Sequence, residues 1–176
     1  MPGSIARSGL ALRDLGEEVS ERPFSPWGYD ERQFNAPGFR LPFGLLMRTP
    51  NGEYAEYHTS ADDLDFVQPA QLAGSLDALR AIVEILEADV RWRNVEPFGE
   101  PQPGRRGLFS AVGGRDAGTD QMARLWVLNQ SDGDHSLLDI AERSGLAFDA
   151  VRTAATDSAA AGLLVRAGPD PADASR

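Results

Sequence analysis

The chain has 176 residues, a formal net charge of −10, two histidines and no cysteine. This length fits one medium domain or two small ones. The acidic excess repels phosphate backbones, so we do not expect a nucleic-acid partner. Disulfides and thiolate metal sites are excluded. No apolar run approaches the roughly 20 residues of a membrane span, and the N-terminus lacks a signal-peptide pattern. We therefore expect a cytoplasmic protein without a membrane segment.

The first third of the chain combines a short helix with a long irregular stretch. Apolar spacing predicts a helix over residues 9–19. The stretch "ERPFSPWGYDERQFNAPGFRLPFG" has four prolines, three glycines and six aromatic residues, which excludes a long helix or strand. A loop so rich in aromatic side chains is expected to pack on a body, and long ordered loops are often functional.

A strand, a turn and a long helix are predicted next. Residues 44–48 form a short apolar run typical of a buried strand, and residues 49–52, "TPNG", predict a turn. Over residues 70–90, large apolar side chains recur at steps of four and three. This spacing puts them on one helical stripe and predicts that the helix packs on a core through it. The stripe consists of Leu72, Leu76, Leu79, Val83, Leu86 and Val90.

The C-terminal part has the element order of a winged helix. Residues 94–118 are irregular and end in Gly113-Gly114. Three helices then follow, with "SDGDHS" predicted as a turn containing His135, Ser136 as an N-cap and Gly145 as a helix end. "LLVR" predicts a final strand. This order is typical of a winged helix-turn-helix over residues 119–168, preceded by a domain over 1–118 and followed by a disordered tail over 169–176.

The segment "EYAEYHTSADDLDF", residues 53–66, holds His58 among several carboxylates. From the residues alone it could be a metal site, an acid/base site or an acidic surface loop. Histidine is the commonest metal ligand, and neighbouring carboxylates can orient its ring. The local sequence supplies too few further ligands for a metal, because His135 lies in the other unit. The aspartates of the segment are also suited to the start of a helix.

A second candidate site lies in "GYDERQF", where Asp30, Glu31 and Arg32 sit inside the aromatic loop. Such adjacent opposite charges form a surface ion pair or line a polar pocket. The winged helix could instead serve as a DNA reader or a protein-interaction module. The sequence contains no glycine-rich phosphate loop and no evident serine nucleophile.

The motifs "PWGYDERQF", "EYHTSADDLDFV" and "EPFGEPQPGRRGLFSAVGG" resemble the C-terminal half of bacterial di-zinc aminopeptidase-like proteins associated with polysaccharide biosynthesis. The resemblance covers about residues 12–165. It implies an α/β fold, with part of a zinc-peptidase-like mixed sheet, flanking helices and a small C-terminal winged-helix domain.

The resemblance also implies a site. His58 matches the last zinc ligand, in a "YHT" context, and Asp30, Glu31 and Arg32 match a segment that approaches the substrate. The other metal ligands and the glutamate base of the family lie upstream of the matched segment, so no catalytic residue is assigned here. We therefore expect part of a zinc-dependent hydrolase of peptide or amide bonds that binds zinc only with an N-terminal half, which could be encoded separately. The alternative is a non-catalytic binding or scaffold protein that uses the pocket loop and the winged helix.

Overall fold

The structure is a computed structural model of the chain. It describes residues 9, 12–13, 19–39, 41, 43–99 and 115–168, with residues 115–117 described as helical backbone only. The chain divides into two compact units, Met1–Val83 and Glu84–Arg176. Within the described residues, no helix combines the length and apolarity that crossing a membrane would require.

The first unit is largely irregular. Gly9, Leu12 and Arg13 are helical, which agrees with the predicted N-terminal helix, whose other residues lie outside the described part. Helix α1 covers Asp30–Phe34 and helix α2 covers Pro69–Ala88, the latter crossing the boundary between the units. The prediction of a strand over residues 44–48 is wrong, since the structure has no strand in this segment. Arg48 holds it to α2 instead, donating to the Ser75 hydroxyl at 3.2 Å and the Gln71 carbonyl at 2.9 Å.

Helix α2 confirms the predicted helix but not the predicted burial. The large side chains of its stripe are 39–61% exposed at Leu72, Leu76, Leu79, Val83 and Leu86, and Ile82 on a neighbouring face is the buried residue. The prediction that the stripe packs on a core is therefore wrong for this chain. The expectation that the aromatic loop packs on a body also fails at Trp27, which is 90% exposed.

The second unit is an α/β winged helix around a three-stranded antiparallel sheet. Its order is β1 (Arg91–Asn94), α3 (Arg115–Gln130), β2 (Asp132–Ser136), α4 (Leu137–Ser144), α5 (Phe148–Ala160) and β3 (Leu164–Arg166). The central strand is β1, which lies between β2 and β3. It pairs with β2 at Arg91 and Ser136 and with β3 at Trp92 and Arg166. The sheet of this unit thus begins upstream of residue 119.

The second unit has a well-buried core formed by all three helices and β3. Its most enclosed side chains include Val127, Leu138, Ile140, Val151 and Leu163. Phe148, Val151 and Ala155 of the last helix are all buried in this core. Such packing supplies most of the free energy that stabilises a small domain.

Polar contacts fix the helix ends and the central strand. Ser136 caps α4 in a reciprocal capping box with Asp139, and Gly145 ends that helix with φ 68°, both as predicted. The buried Asn94 side chain donates to the Leu128 carbonyl at 2.9 Å, which ties β1 to α3. The prediction that "SDGDHS" is a turn is wrong, because these residues pair with β1 as strand β2.

Candidate functional site

The segment that carries His58 is a series of turns closed by local hydrogen bonds. The Tyr57 N–H donates to the Tyr54 carbonyl at 3.3 Å, and the Thr59 N–H to the Glu56 carbonyl at 3.0 Å. The Thr59 hydroxyl also donates to Glu56 at 2.8 Å and accepts from the Ala61 N–H at 3.2 Å. A threonine hydroxyl thus stabilises the turn immediately after His58.

His58 has an unusual backbone conformation. Its φ is 57°, and it is the one non-glycine residue with positive φ in the described part of the chain. A left-handed conformation costs a non-glycine residue on the order of 1 kcal/mol or more and is often found at functional sites. The imidazole is exposed to solvent and stacks on the Tyr57 ring, with centroids 4.1 Å apart and planes 12° apart. The backbone turn and this stack together set the direction of the His58 ring.

A tyrosine pair joins the two predicted site segments. The hydroxyls of Tyr29 and Tyr57 lie 2.6 Å apart, so one donates to the other. Each tyrosine directly precedes a predicted site residue, Asp30 in one segment and His58 in the other. The hydrogen bond with Tyr29, followed by desolvation, raises the pKa of Tyr57 above its ordinary value. Tyr57 therefore stays protonated at neutral pH and can keep this hydrogen bond.

Further aromatic rings support Tyr57. Tyr54 packs edge-on against Tyr57 with centroids 5.5 Å apart, and its other contact is a stack on Phe66 at 5.9 Å. Such aromatic pairs contribute about 0.5–1.5 kcal/mol each beyond area burial. The ring under His58 is thus held from two sides, by Tyr29 and by Tyr54.

Asp30, Glu31 and Arg32 form the first residues of α1. Both Glu31 carboxylate oxygens accept from the Tyr29 N–H at 3.1 Å, so this side chain caps its own helix start. A Cβ at Gly28 would lie 1.7 Å from a Glu31 oxygen, so the Glu31 side chain would have to shift if this glycine were replaced. Asp30 and Arg32 are exposed and lie beside Tyr29 in the chain.

The aspartates after His58 have local structural roles. One carboxylate oxygen of Asp63 accepts from the N–H groups of Asp65 at 2.9 Å and Phe66 at 3.2 Å. Asp62 and Asp65 are exposed. Among the described residues, no group of three or more histidine, aspartate or glutamate side chains is placed to hold a metal ion. The residues present therefore do not make a complete zinc site, although His58 can offer one nitrogen ligand.

A charged clamp closes the beginning of the site segment. Arg22 and Glu53 form a two-point contact, with nitrogen–oxygen distances of 2.6 and 3.0 Å. The hydrogen bond from Arg22 is the main reason that the pKa of the Glu53 carboxyl is lowered. Because the folded-state pKa is depressed, the stabilisation from this pair is present above the ordinary carboxyl pKa and is lost as pH falls through the depressed value.

Replacing Arg22 with alanine is expected to raise the pKa of Glu53 toward the ordinary glutamate value, since the charge-assisted hydrogen bonds are removed. NMR of the Glu53 carboxyl carbon across a pH titration measures this pKa directly. Arg13→Ala is the matched control, because Arg13 bonds Glu21 at 3.1 Å and should leave the titration of Glu53 unchanged. An unchanged Glu53 titration in Arg22→Ala would show that the clamp does not form in solution.

The winged-helix unit has its own polar cluster. His135 lies on β2, with Nδ1 2.8 Å from an Asp132 oxygen and Nε2 3.0 Å from Arg143 Nη1. Because Arg143 can only donate, Nε2 accepts and Nδ1 carries the proton. Burial raises the pKa of Asp132, but hydrogen bonds from the Asp134 and His135 N–H groups and the His135 ring outweigh it, so the pKa lies below its ordinary value. His135 thus has a structural partner on each side.

The last helix of the winged helix presents mixed charge. On α5, Arg152 is exposed and pairs with Asp149, and Asp157 is a further exposed acid 3.9 Å from Arg124. A DNA-reading helix needs cations facing the phosphates. These three exposed residues give α5 no excess of positive charge.

Comparisons with known proteins divide the chain near residue 90, close to the boundary between the two compact units at Val83 and Glu84. Residues 6–89 match the model of a domain of unknown function (DUF4910), and residues 90–166 match a winged helix-turn-helix model. A Clostridium acetobutylicum protein, provisionally named as a polysaccharide biosynthesis protein with an aminopeptidase-like domain, is 43% identical over 145 residues, 82% of this chain. This chain is therefore similar, over most of its own length, to part of a protein with an aminopeptidase-like domain. Its winged helix, expected from the element order, is confirmed by the model match.

A solved structure gives a second match of the same kind. The crystal structure of a protein from Clostridium acetobutylicum provisionally described as a peptidase matches 93% of this chain with a TM-score of 0.82 and 37% identity. The chain spans 33% of the curated relative and 36% of the solved chain. About two thirds of each of these two proteins therefore has no counterpart in the present sequence.

Sequence reasoning proposed His58 and Asp30 to Arg32 as site residues, but it did not predict the contact between Tyr29 and Tyr57 or the Arg22–Glu53 clamp. A weak signal was present, because a tyrosine directly precedes both Asp30 and His58. The metal role of His58 and the substrate role of Asp30, Glu31 and Arg32 remain predictions.

Proposed function

We propose that this chain forms one wall of the active site of an aminopeptidase-like hydrolase that cleaves peptide or amide bonds. Hydrolysis would require the rest of the fold, either in the same protein or as a separate polypeptide. The observation that carries the proposal is the 43% identity to the aminopeptidase-like relative, over a region that includes most of this chain. The strained backbone at His58 supports it, because strain is retained where the direction of a side chain matters.

The residues have distinct proposed roles. His58 would give one imidazole nitrogen to a zinc ion whose other ligands come from outside the described residues. Zinc in such sites polarises the scissile carbonyl and lowers the pKa of bound water to about 7. Tyr57 would orient the imidazole by stacking, and Tyr29 would hold Tyr57 through the 2.6 Å hydrogen bond.

Substrate recognition from this wall would rest mainly on Asp30 and Arg32. Both side chains are exposed, whereas the Glu31 carboxylate is already engaged by the Tyr29 N–H. An aspartate suits a substrate amino group, and an arginine suits a carboxylate or a carbonyl oxygen. The hydrogen bond between Tyr29 and Tyr57 connects the start of this helix to the segment of His58.

A chimera tests the proposal. The full-length clostridial relative would be expressed with its matching region replaced by this chain, and assayed with zinc on aminoacyl nitroanilides and N-acylated amino sugars. We expect hydrolysis by the relative and by the chimera, and none by the 176-residue chain alone. Hydrolysis by the isolated chain would contradict the need for the remaining fold. A relative that cleaves none of these substrates would instead favour the binding or scaffold function.

A further inference from the structure

The two units differ sharply in how they bury apolar side chains. Among the described residues of Met1–Val83, Leu12 and Ile82 are the only buried hydrophobic residues, whereas the second unit has a contiguous core. Exposed large hydrophobic residues are concentrated in the first unit, with Trp27 at 90% and Leu64 at 89%. The described residues of this unit bury too few apolar side chains to form a stable core by themselves. Something outside the described residues must cover part of this surface.

Part of that surface lies on helix α2. We name it the leucine face, and it consists of Leu72, Leu76, Leu79 and Val83, which are 49–61% exposed. At about 1.5 Å per residue it extends for about 17 Å along the helix.

The other two sides of α2 have different surroundings. At about 100° per residue, Ser75, Ala78 and Ile82 lie on a neighbouring side. That side holds the buried Ile82 and the Ser75 hydroxyl that accepts from Arg48. Asp77 and Glu84 lie on a third, polar side, and both are exposed. Two sides of α2 are thus apolar, and the described part of the first unit covers one of them. Such a pattern is expected of a helix that packs against a neighbour on both sides.

We infer that the leucine face is the docking surface for the remaining two thirds of the aminopeptidase-like fold. The length comparison identifies this occupant, since 64–67% of the related chains has no counterpart here although 93% of this chain superposes on the solved relative. Exposed apolar faces of this kind mark protein interfaces in soluble proteins. The inference rests on the proposed function, because the same body would complete the site at His58.

The test compares two substitutions, each made in the chimera and in the isolated chain. Leu76→Asp adds a charge to the centre of the leucine face, and Ala73→Asp adds the same charge to an exposed position on the polar side. In the chimera, Leu76→Asp is expected to lower the Tm by about 5 °C or more and Ala73→Asp to leave it nearly unchanged. In the isolated chain, neither substitution should change the Tm of the folded units, because both positions already face solvent.

Each other outcome overturns the inference. An equal loss of Tm in the isolated chain would show that this chain covers the face itself. A dimer of the isolated chain in light scattering, dissociated by Leu76→Asp, would assign the face to a second copy. No change in either context would mean that nothing docks there.

The assay remains decisive if the chimera is insoluble or inactive. For an insoluble chimera, aspartate is placed at the positions of the full-length relative that align with Leu76 and Ala73, and the same Tm difference is expected. The Tm comparison does not depend on hydrolysis, which is measured separately. A chimera that is destabilised by Leu76→Asp but cleaves nothing would leave the docking inference standing while the proposed function falls.

Discussion

Replacing His58 with alanine in the chimera is expected to lower kcat/KM for amide hydrolysis by more than about 100-fold and to reduce the bound zinc. The physical reason is the loss of one imidazole nitrogen from the proposed metal cage. Removing a ligand weakens metal binding, and a lost or misplaced metal ion no longer stabilises the negative charge of the transition state. Kinetics at saturating zinc, together with metal content per protein, separates these two losses.

The second histidine of the chain provides the matched control. His135 lies in the winged-helix unit, where Asp132 and Arg143 bind its two ring nitrogens. His135→Ala should leave both kcat/KM and zinc content of the chimera unchanged. Equal losses in the two variants would indicate a general structural effect, and no loss in His58→Ala would remove His58 from the site.

Replacing Leu138 with alanine is expected to destabilise the winged-helix unit by about 2–5 kcal/mol. Leu138 is 2% exposed, and its N–H is held by the Asp89 carboxylate at 2.9 Å, so the helix start cannot easily move to fill the cavity. Urea unfolding followed by Trp92 and Trp126 fluorescence reports on this unit. A fall in the denaturation midpoint at unchanged slope would measure the loss.

Met122→Ala is the control for this core substitution. Met122 lies on α3 of the same unit and is 47% exposed. Surface substitutions of this kind usually change stability by less than about 0.5 kcal/mol. A small effect at Leu138, comparable to that at Met122, would mean that the core of the winged helix is not packed as described.

Local patterns predicted α2 to α5 and two of the helix ends, whereas the short helix α1 was not predicted. The spacing of apolar residues gave α2, and local signals gave the Ser136 cap and the Gly145 end, because caps depend on side chains a few residues apart. Strand β1 was missed and β2 was misread as a turn. Both are short and polar, and their pairing joins residues about 40 positions apart, which no local pattern records.

The candidate site shows the same division. Periodicity identified which residues of α2 share a stripe, but it could not show what covers that stripe. His58 was identified through the family motif, since its surroundings alone also fitted an acidic surface loop. The contact between Tyr29 and Tyr57 could not be predicted, because it depends on how two loops meet across 28 residues.

The left-handed backbone at His58 has an evolutionary consequence. Glycine adopts a φ of 57° without steric cost, so selection for folding alone would favour glycine at this position. We expect a histidine to be retained there in lineages where its imidazole has a use. Descendants that lose that use should therefore drift toward glycine or asparagine at this position, gaining stability as they do. The residue found at position 58 in a related sequence should therefore indicate whether that lineage still uses this site.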